Sequence, residues 1–364
     1  MTPPIRASSL LKWKDLNVSP NELRLDTLRC GQSFRWKQNN GLWSCVLNGR
    51  LVVLKETDTS VMYGEWEEDK TIEKDLRDYF QLDKVSLSEC YERWSGIDPN
   101  FKVKAMGLKG IRILRQDPWE NLVSFICSSN NNISRISQMV NKLCVQFGPK
   151  VATMDGEGFY AFPPLDKLIG TQDQLRELGF GYRARYIAQT AAQIAAEHPD
   201  QKEQWLHTLR NVSFDEAKTA LMRYPGVGPK VADCVCLMSL DQHEAIPVDT
   251  HVWQIAMRDY RFNLTGVSKT KTLTPALYKA IATNFRDLFG SYSGWAHSVL
   301  FTADLRSFDD RIIKEKKEKA VKKEALIGEV VLKKLIVPDP VLDQDNEHDT
   351  HVRRSKRQRK NTIG

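Results

Sequence analysis

The chain of 364 residues has no cysteines at C-x-x-C spacing; its seven cysteines fall at 30, 45, 90, 127, 144, 234 and 236. That odd, scattered set argues against structural zinc and against a disulfide framework, and fits a reducing compartment such as nucleus or cytosol. No apolar run approaches the roughly 20 residues needed to cross a bilayer. The opening Met1-Thr2-Pro3-Pro4 lacks the apolar stretch of a signal peptide, so neither membrane residence nor secretion is expected. Arg6, Lys12 and Lys14, with no acid before Asp15, give only the faint pattern of an organellar presequence, which leaves mitochondrial residence open beside nuclear. Net charge is also scarce over most of the chain. Residues 311–364 hold 15 Lys/Arg against 9 Asp/Glu, which leaves 38 against 37 in the first 310, so the formal +7 lies almost wholly in the C-terminal part. Affinity of the folded part for a polyanion must therefore come from local clustering of donors.

Three stretches differ in pattern. Ser33–Lys37, Leu42–Leu47, Leu51–Lys55 and Val61–Trp66 are rich in aromatic and β-branched residues, with Asn40-Gly41 and Asn48-Gly49 between the first three runs. Asn-Gly is the strongest short signal for a type I′ hairpin, so residues 1–115 are expected to form an antiparallel sheet domain with helices. From about 70 to 310 the pattern is helical. Asp117-Pro118-Trp119-Glu120 places a cap, a helix-opening proline and an acid ahead of Leu122, Phe125 and Ile126. Ile133, Ile136, Val140, Leu143 and Phe147 recur at helical spacing, as do Tyr186, Ile187, Ala191 and Ile194. The fold class is thus α+β, with residues 116–310 as an α-helical body and Thr265 to Pro275 as a polar loop insertion. Residues 311–364 read as a basic, disordered tail with a transient helix near 313–336. Its octet Arg353 to Lys360, with six basic residues, reads as a nuclear-import patch or a nonspecific nucleic-acid contact.

Chemistry concentrates around Tyr224-Pro225-Gly226-Val227-Gly228-Pro229-Lys230. Gly226 and Gly228 permit a tight reversal, and Pro229 suits the first position of a helix, whose free N–H groups make a seat for phosphate. With Ala217–Arg223 before it and Pro229–Leu240 after it, the run is expected to form a helix-hairpin-helix unit, which can grip a DNA backbone through peptide N–H groups without reading sequence. Lys230 in the first turn is a phosphate contact or a nucleophile. Asp249, nineteen residues on in Pro247-Val248-Asp249-Thr250-His251, is an N-cap, a stabiliser of developing positive charge, or both. An attacking lysine must be neutral, which requires desolvation or nearby positive charge. Cys234 and Met238 share the Lys230 helix face at i+4 and i+8 and would supply apolar surroundings.

These residues resemble the helix-hairpin-helix DNA glycosylase superfamily, and within it the eukaryotic 8-oxoguanine DNA glycosylase family. Five runs carry the resemblance over roughly residues 10 to 305: Cys30 to Trp36, Pro118 to Arg135 with its Cys127-Ser128-Ser129-Asn130-Asn131-Asn132, Gly179 to Tyr186, the hairpin through Cys234, and Gly294 to Phe301. The resemblance implies a glycosylase and abasic-site lyase acting on double-stranded DNA as a monomer, without metal or organic cofactor, with Lys230 as nucleophile and Asp249 as the essential acid. It assigns Phe301 and Cys234 to the two faces of a flipped base and the Gly31 carbonyl to its N7–H. Ordinary guanine has an acceptor at N7 where 8-oxoguanine has a donor. Asn130, Arg135 and Arg183 match contacts to the orphaned cytosine, Tyr182 the wedge in the stack, and His251 a phosphate contact.

One position departs from the family. His297 stands where glutamine is usual, at the Watson–Crick edge of the base, and neutral imidazole offers one donor and one acceptor against the amide's two donors and an acceptor. His297→Gln is expected to preserve or improve 8-oxoguanine excision near pH 6. Two other readings compete: a glycosylase of the same superfamily with another damaged base, and a noncatalytic helix-hairpin-helix DNA-binding module. The first loses its iron–sulfur branch, because no cysteine follows Cys236. The second leaves the Lys230/Asp249 pair and the five separated runs unexplained.

Overall fold

A computed structural model of the chain describes residues 3–262 and 272–308. Eight strands occur among them: β1 (Ile5–Arg6), β2 (Lys12–Asp15), β3 (Lys37–Asn39), β4 (Leu42–Leu47), β5 (Arg50–Glu56), β6 (Val61–Glu65), β7 (Lys150–Met154) and β8 (Glu157–Tyr160). Five form an antiparallel sheet in the order β2-β6-β5-β4-β3. Asn40 and Gly41 at φ 49° and 78°, and Asn48 and Gly49 at 47° and 74°, make the left-handed turns that join β3 to β4 and β4 to β5. Strand period 2 sends Val52, Leu54, Val61 and Tyr63 to one face, where they pack on Ile72 and Leu76 of the helix Ile72–Tyr79. Val46, Leu51 and Val53 point the other way, onto Ala152, Met154 and Phe159. Both faces are covered, which is why β5 is apolar at every central position.

The covering layer is a second sheet, β1-β7-β8, with β1 parallel to β7 and β7 antiparallel to β8. It corrects the expectation of unbroken helix from 70 to 310. Asp155 and Gly156 supply its turn at φ 49° and 83°, and Ala152, Met154 and Phe159 gain burial against β4 and β5. A second correction concerns Ser33–Lys37, where residues 33–36 are irregular and the strand begins only at Lys37.

The rest is helical. Pro118–Ile126, capped by Asp117 accepting from Glu120 N at 2.9 Å, is buried on every side except at Glu120 and lies against Pro229–Ser239. Ile133–Phe147 starts at Asn132, whose side chain accepts from Arg135 N, and Phe214–Leu221 starts in a Ser213/Glu216 capping box. Leu175 stands in Gln172–Glu177, and Tyr186, Ile187, Ala191 and Ile194 in Arg183–Glu197. Pro275, assigned from sequence to a loop, opens the helix Pro275–Phe289 with Thr274 as cap. Residues 265–271 of that insertion, and the C-terminal tail with its basic octet, lie outside the described residues.

Arg35 joins sheet to helices. It donates from Nε to Glu120 at 2.8 Å, and to the carbonyls of Tyr160 at 3.2 Å and Val46 at 2.5 Å, from a side chain only 8% exposed. Truncating one partner of such a buried pair costs about 3–5 kcal/mol. The link therefore holds the Pro118–Ile126 helix, and the Phe125 ring it carries, in register with the sheet. No helix among the described residues is long and apolar enough to cross a membrane.

Candidate active site

The hairpin forms because its glycines do different work. Gly226 has φ +80°, and a Cβ there would lie 2.6 Å from Cδ2 of Tyr186, so only glycine fits. Gly228 has φ −90° in extended backbone with open space around its Cβ position. Gly228 and Pro229 are both exposed, which presents the start of Pro229–Ser239 to solvent. Thr190 Oγ1 donates to Pro225 O at 3.1 Å and fixes the turn on the Arg183–Glu197 helix.

Lys230 projects from that first turn toward Pro118–Ile126. Its Nζ donates to Ser128 Oγ at 3.3 Å and stands 5.0 Å from the centroid of Phe125. The Ser128 hydroxyl spends its proton on Phe125 O at 2.7 Å, so toward Lys230 it acts as an acceptor. Cys234 and Met238 share the face of Lys230, as the i+4 and i+8 spacing predicts, and all three line one cavity with Phe125. Burial pushes the Cys234 thiol up to about 12, with nearby Lys230 the chief opposing influence, so Cys234 is a neutral buried wall and not a reactive thiolate.

Asp249 closes the cavity from a different element. Its Oδ1 accepts from the backbone N–H groups of His251 and Val252, each at 3.0 Å, capping Thr250–Ile255. One face of the carboxylate therefore serves the helix, and the sequence-derived N-cap role is confirmed in the geometry. The preceding peptide is fixed too. Val248 N donates to Tyr278 Oη at 3.2 Å, Tyr278 donates to Asp233, and Lys218 pairs with Asp233 at 2.8 Å. Burial pushes the Asp233 carboxyl up, and Lys218 and Tyr278 oppose the shift. This buried network joins both hairpin helices to the loop that ends at Asp249. Sequence reasoning missed it because 15 and 45 residues separate Asp233 from its two partners.

Gly31, Phe301 and His297 complete the cavity. Gly31 adopts φ +84°, and a Cβ there would lie 3.1 Å from Ile133 Cδ1 and 3.6 Å from Phe301 Cε1. Phe301 is half-buried and meets His251 edge-on at 6.2 Å between ring centroids. His297 is buried, and neither ring nitrogen has a hydrogen-bond partner among the described residues. Burial pushes its pKa down to about 4, against a weaker opposing pull from Asp249. The ring is neutral at pH 6, which removes the protonation basis for a gain at that pH from His297→Gln.

A second group lies on the surface. Tyr182 is half exposed, with its hydroxyl donating to Ser129 O at 3.1 Å and the Arg183 guanidinium 4.6 Å from its ring. Asn130 is exposed in a left-handed conformation, φ 46°, and Arg135 and His251 are exposed as well. Arg183 differs from expectation. It is 3% exposed and donates to the carbonyls of Ser129 and Asn130, so here it braces the Asn130 loop instead of facing outward. No group of three or more His, Cys, Asp or Glu suited to a metal occurs among the described residues.

Comparison with known proteins identifies the family. The N-terminal domain model of 8-oxoguanine DNA glycosylase matches residues 15–122, and the HhH-GPD superfamily base excision DNA repair model matches 123–279. The chain is 42% identical over 301 residues to N-glycosylase/DNA lyase OGG1 of Arabidopsis thaliana, covering 81% of this chain and 80% of the relative. It is 37% identical to N-glycosylase/DNA lyase of Saccharomyces cerevisiae, covering 81% and 86%. Among solved structures it resembles Clostridium acetobutylicum 8-oxoguanine glycosylase/lyase in complex with duplex DNA containing cytosine opposite to 8-oxoG, with TM-score 0.69 and 32% identity over 80% of this chain and 96% of the other. With its sheet, its hairpin and its Lys230/Asp249 cavity, the chain belongs to the 8-oxoguanine DNA glycosylase family of helix-hairpin-helix base-excision repair enzymes.

Proposed function

We propose that this enzyme removes 8-oxoguanine opposite cytosine from duplex DNA and then cleaves the strand, with Lys230 as nucleophile. The observation that carries the reading is the convergence of Lys230, Asp249, Gly31 and Phe301 on one cavity. The flipped nucleotide enters with its base between Phe301 and Cys234. The Gly31 carbonyl accepts the N7–H that 8-oxoguanine has and guanine lacks. His297, neutral and without a partner among the described residues, offers one donor and one acceptor to the base edge.

In the chemical step the neutral Lys230 amine forms a bond to C1′ and the glycosidic bond breaks, its electron pair leaving with the base, which takes up a proton. The Asp249 carboxylate stabilises the positive charge that develops on the sugar. Loss of the amine proton and ring opening give a Schiff base. Removal of a C2′ proton then expels the 3′ phosphate by β-elimination, and water releases Lys230. Gly226, Gly228 and His251 hold the backbone through N–H groups and the imidazole. Tyr182 fills the vacated stack, and Asn130 and Arg135 meet the orphaned cytosine, joined by Arg183 once it leaves its loop carbonyls. The basic octet in 353–360 directs the enzyme to the nucleus.

Borohydride trapping on a duplex with 8-oxoguanine opposite cytosine tests the reading. A covalent adduct from the native enzyme that disappears in Lys230→Gln is expected. Absence of both adduct and base release from the native enzyme refutes it.

A further inference from the structure

Gln32, the residue that follows Gly31, is held by groups outside the base cavity. Gln32 is 1% exposed. Its Nε2 donates to Arg112 O at 2.7 Å and Thr27 O at 3.1 Å, and its Oε1 accepts from Leu114 N at 2.9 Å. Its own carbonyl accepts from Nε2 of Gln116, 95% buried, at 2.8 Å. Thr27 and Arg112 close the arrangement, with Arg112 N donating to Thr27 Oγ1 at 2.7 Å. Gly31 itself, in the middle of this clamp, has no backbone hydrogen-bond partner among the described residues and lines the base cavity.

That combination has a chemical consequence. Glycine at φ +84° has no Cβ to oppose rotation of the peptide joining it to Gln32. On the reading given above the Gly31 carbonyl faces the cavity, and a half-turn of that peptide replaces it with the Gln32 N–H. A carbonyl there matches the N7–H of 8-oxoguanine, whereas an N–H matches the bare N7 of guanine. The orientation of one peptide thus decides which base fits, and glycine alone does not fix it. Rotation changes φ at Gln32, and because the side chain and carbonyl of Gln32 are held by buried partners, the rest of the residue cannot turn to relieve that change.

We propose that Gln32 and Gln116 are positioning residues for base selection, locking the Gly31–Gln32 peptide with its carbonyl toward the damaged base. The proposal rests on the reading of Gly31 given above. It leaves the chemistry at Lys230 untouched, so it separates selection from cleavage.

The test uses the full-length enzyme with Gln32→Met and Gln116→Met, which keep side-chain length and remove the amide. Single-turnover rates are measured on duplexes carrying 8-oxoguanine, undamaged guanine, N7-methylated 8-oxoguanine or an abasic site, each opposite cytosine. In both variants, 8-oxoguanine excision is expected to fall about tenfold or more, in keeping with the loss of buried hydrogen bonds. Preference over guanine is expected to fall with it, while abasic-site cleavage and trapping stay within about twofold. Gln116→Met removes a single hydrogen bond and stands alone if Gln32→Met does not fold. Unchanged preference overturns the proposal, as does an equal loss of excision and abasic cleavage. Native enzyme that excises the N7-methylated base as fast as 8-oxoguanine overturns the Gly31 reading itself, a result distinct from failure of the clamp.

Discussion

Lys230 Nζ and Ser128 Oγ lie 3.3 Å apart across the junction of two helices, and the serine proton is already committed to Phe125 O. Ser128 therefore holds the amine by accepting from it and leaves the remaining positions on nitrogen to face the sugar. Ser128→Ala is expected to slow the trapping step about tenfold, comparable to the loss of one hydrogen bond to the reacting group. Duplex affinity should be unchanged. Equal trapping rates for Ser128→Ala and native enzyme would remove Ser128 from the mechanism.

The two roles of Asp249 separate in Asp249→Asn. The amide oxygen still accepts from His251 N and Val252 N, and asparagine caps helices as well as aspartate, so the stability loss is expected to stay under about 1 kcal/mol. Charge opposite the developing oxocarbenium ion is lost, and base release should fall on the order of 10²-fold or more. Denaturant unfolding and single-turnover excision on the same preparation give the two numbers.

Gly226 and Gly228 make opposite predictions. Gly226→Ala forces a Cβ into the Tyr186 ring at positive φ and is expected to destabilise the fold by about 2 kcal/mol or more. Gly228→Ala meets no atom within 4 Å, so melting should hardly change. Its methyl group projects where a phosphate must approach, and duplex affinity should drop. Equal melting losses in the two variants would contradict the assignment of strain to Gly226 alone.

His297 makes stability depend on pH. The ring titrates at about 4 in the fold and at its ordinary 6.5 when unfolded, so the unfolded chain takes up the proton first. The contribution is fully present above 6.5 and is lost as pH falls toward 4. Across that window the native enzyme is expected to lose about 3 kcal/mol that His297→Gln keeps, from the difference between the two pKa values. Excision by the two proteins should differ by the same factor at pH 6 and pH 8, because the imidazole is neutral at both. A factor that changes between those pH values would place a proton on His297 in the complex.

Much of this was legible in the sequence because local rules act over a few residues. Asn40-Gly41 and Asn48-Gly49 set two hairpins, Asp117-Pro118 opened a helix, and Lys230, Cys234 and Met238 shared a face by spacing alone. Asp155-Gly156 carried the same hairpin signal for β7 and β8, yet Val151, Ala152, Met154 and Phe159 make too short a run to outweigh helical neighbours. What stayed hidden depends on distant pairing. Gln32 and Gln116 are 84 residues apart, and so little separates a buried amide from a surface one in sequence that neither stood out. Arg183 was placed outward for a similar reason, since nothing nearby announces that the Ser129 and Asn130 carbonyls occupy its guanidinium.

The pairing of Arg35 with Glu120 and the carbonyls of β4 and β8 has a consequence for fidelity under heat. Gly31 lies four residues before this arginine, and the helix that Glu120 belongs to carries Phe125, which lies against Lys230. Loosening the anchor therefore disturbs the base-reading and the cutting sides of the cavity together. Accuracy and activity are then expected to fail at the same temperature, one arginine holding both in place.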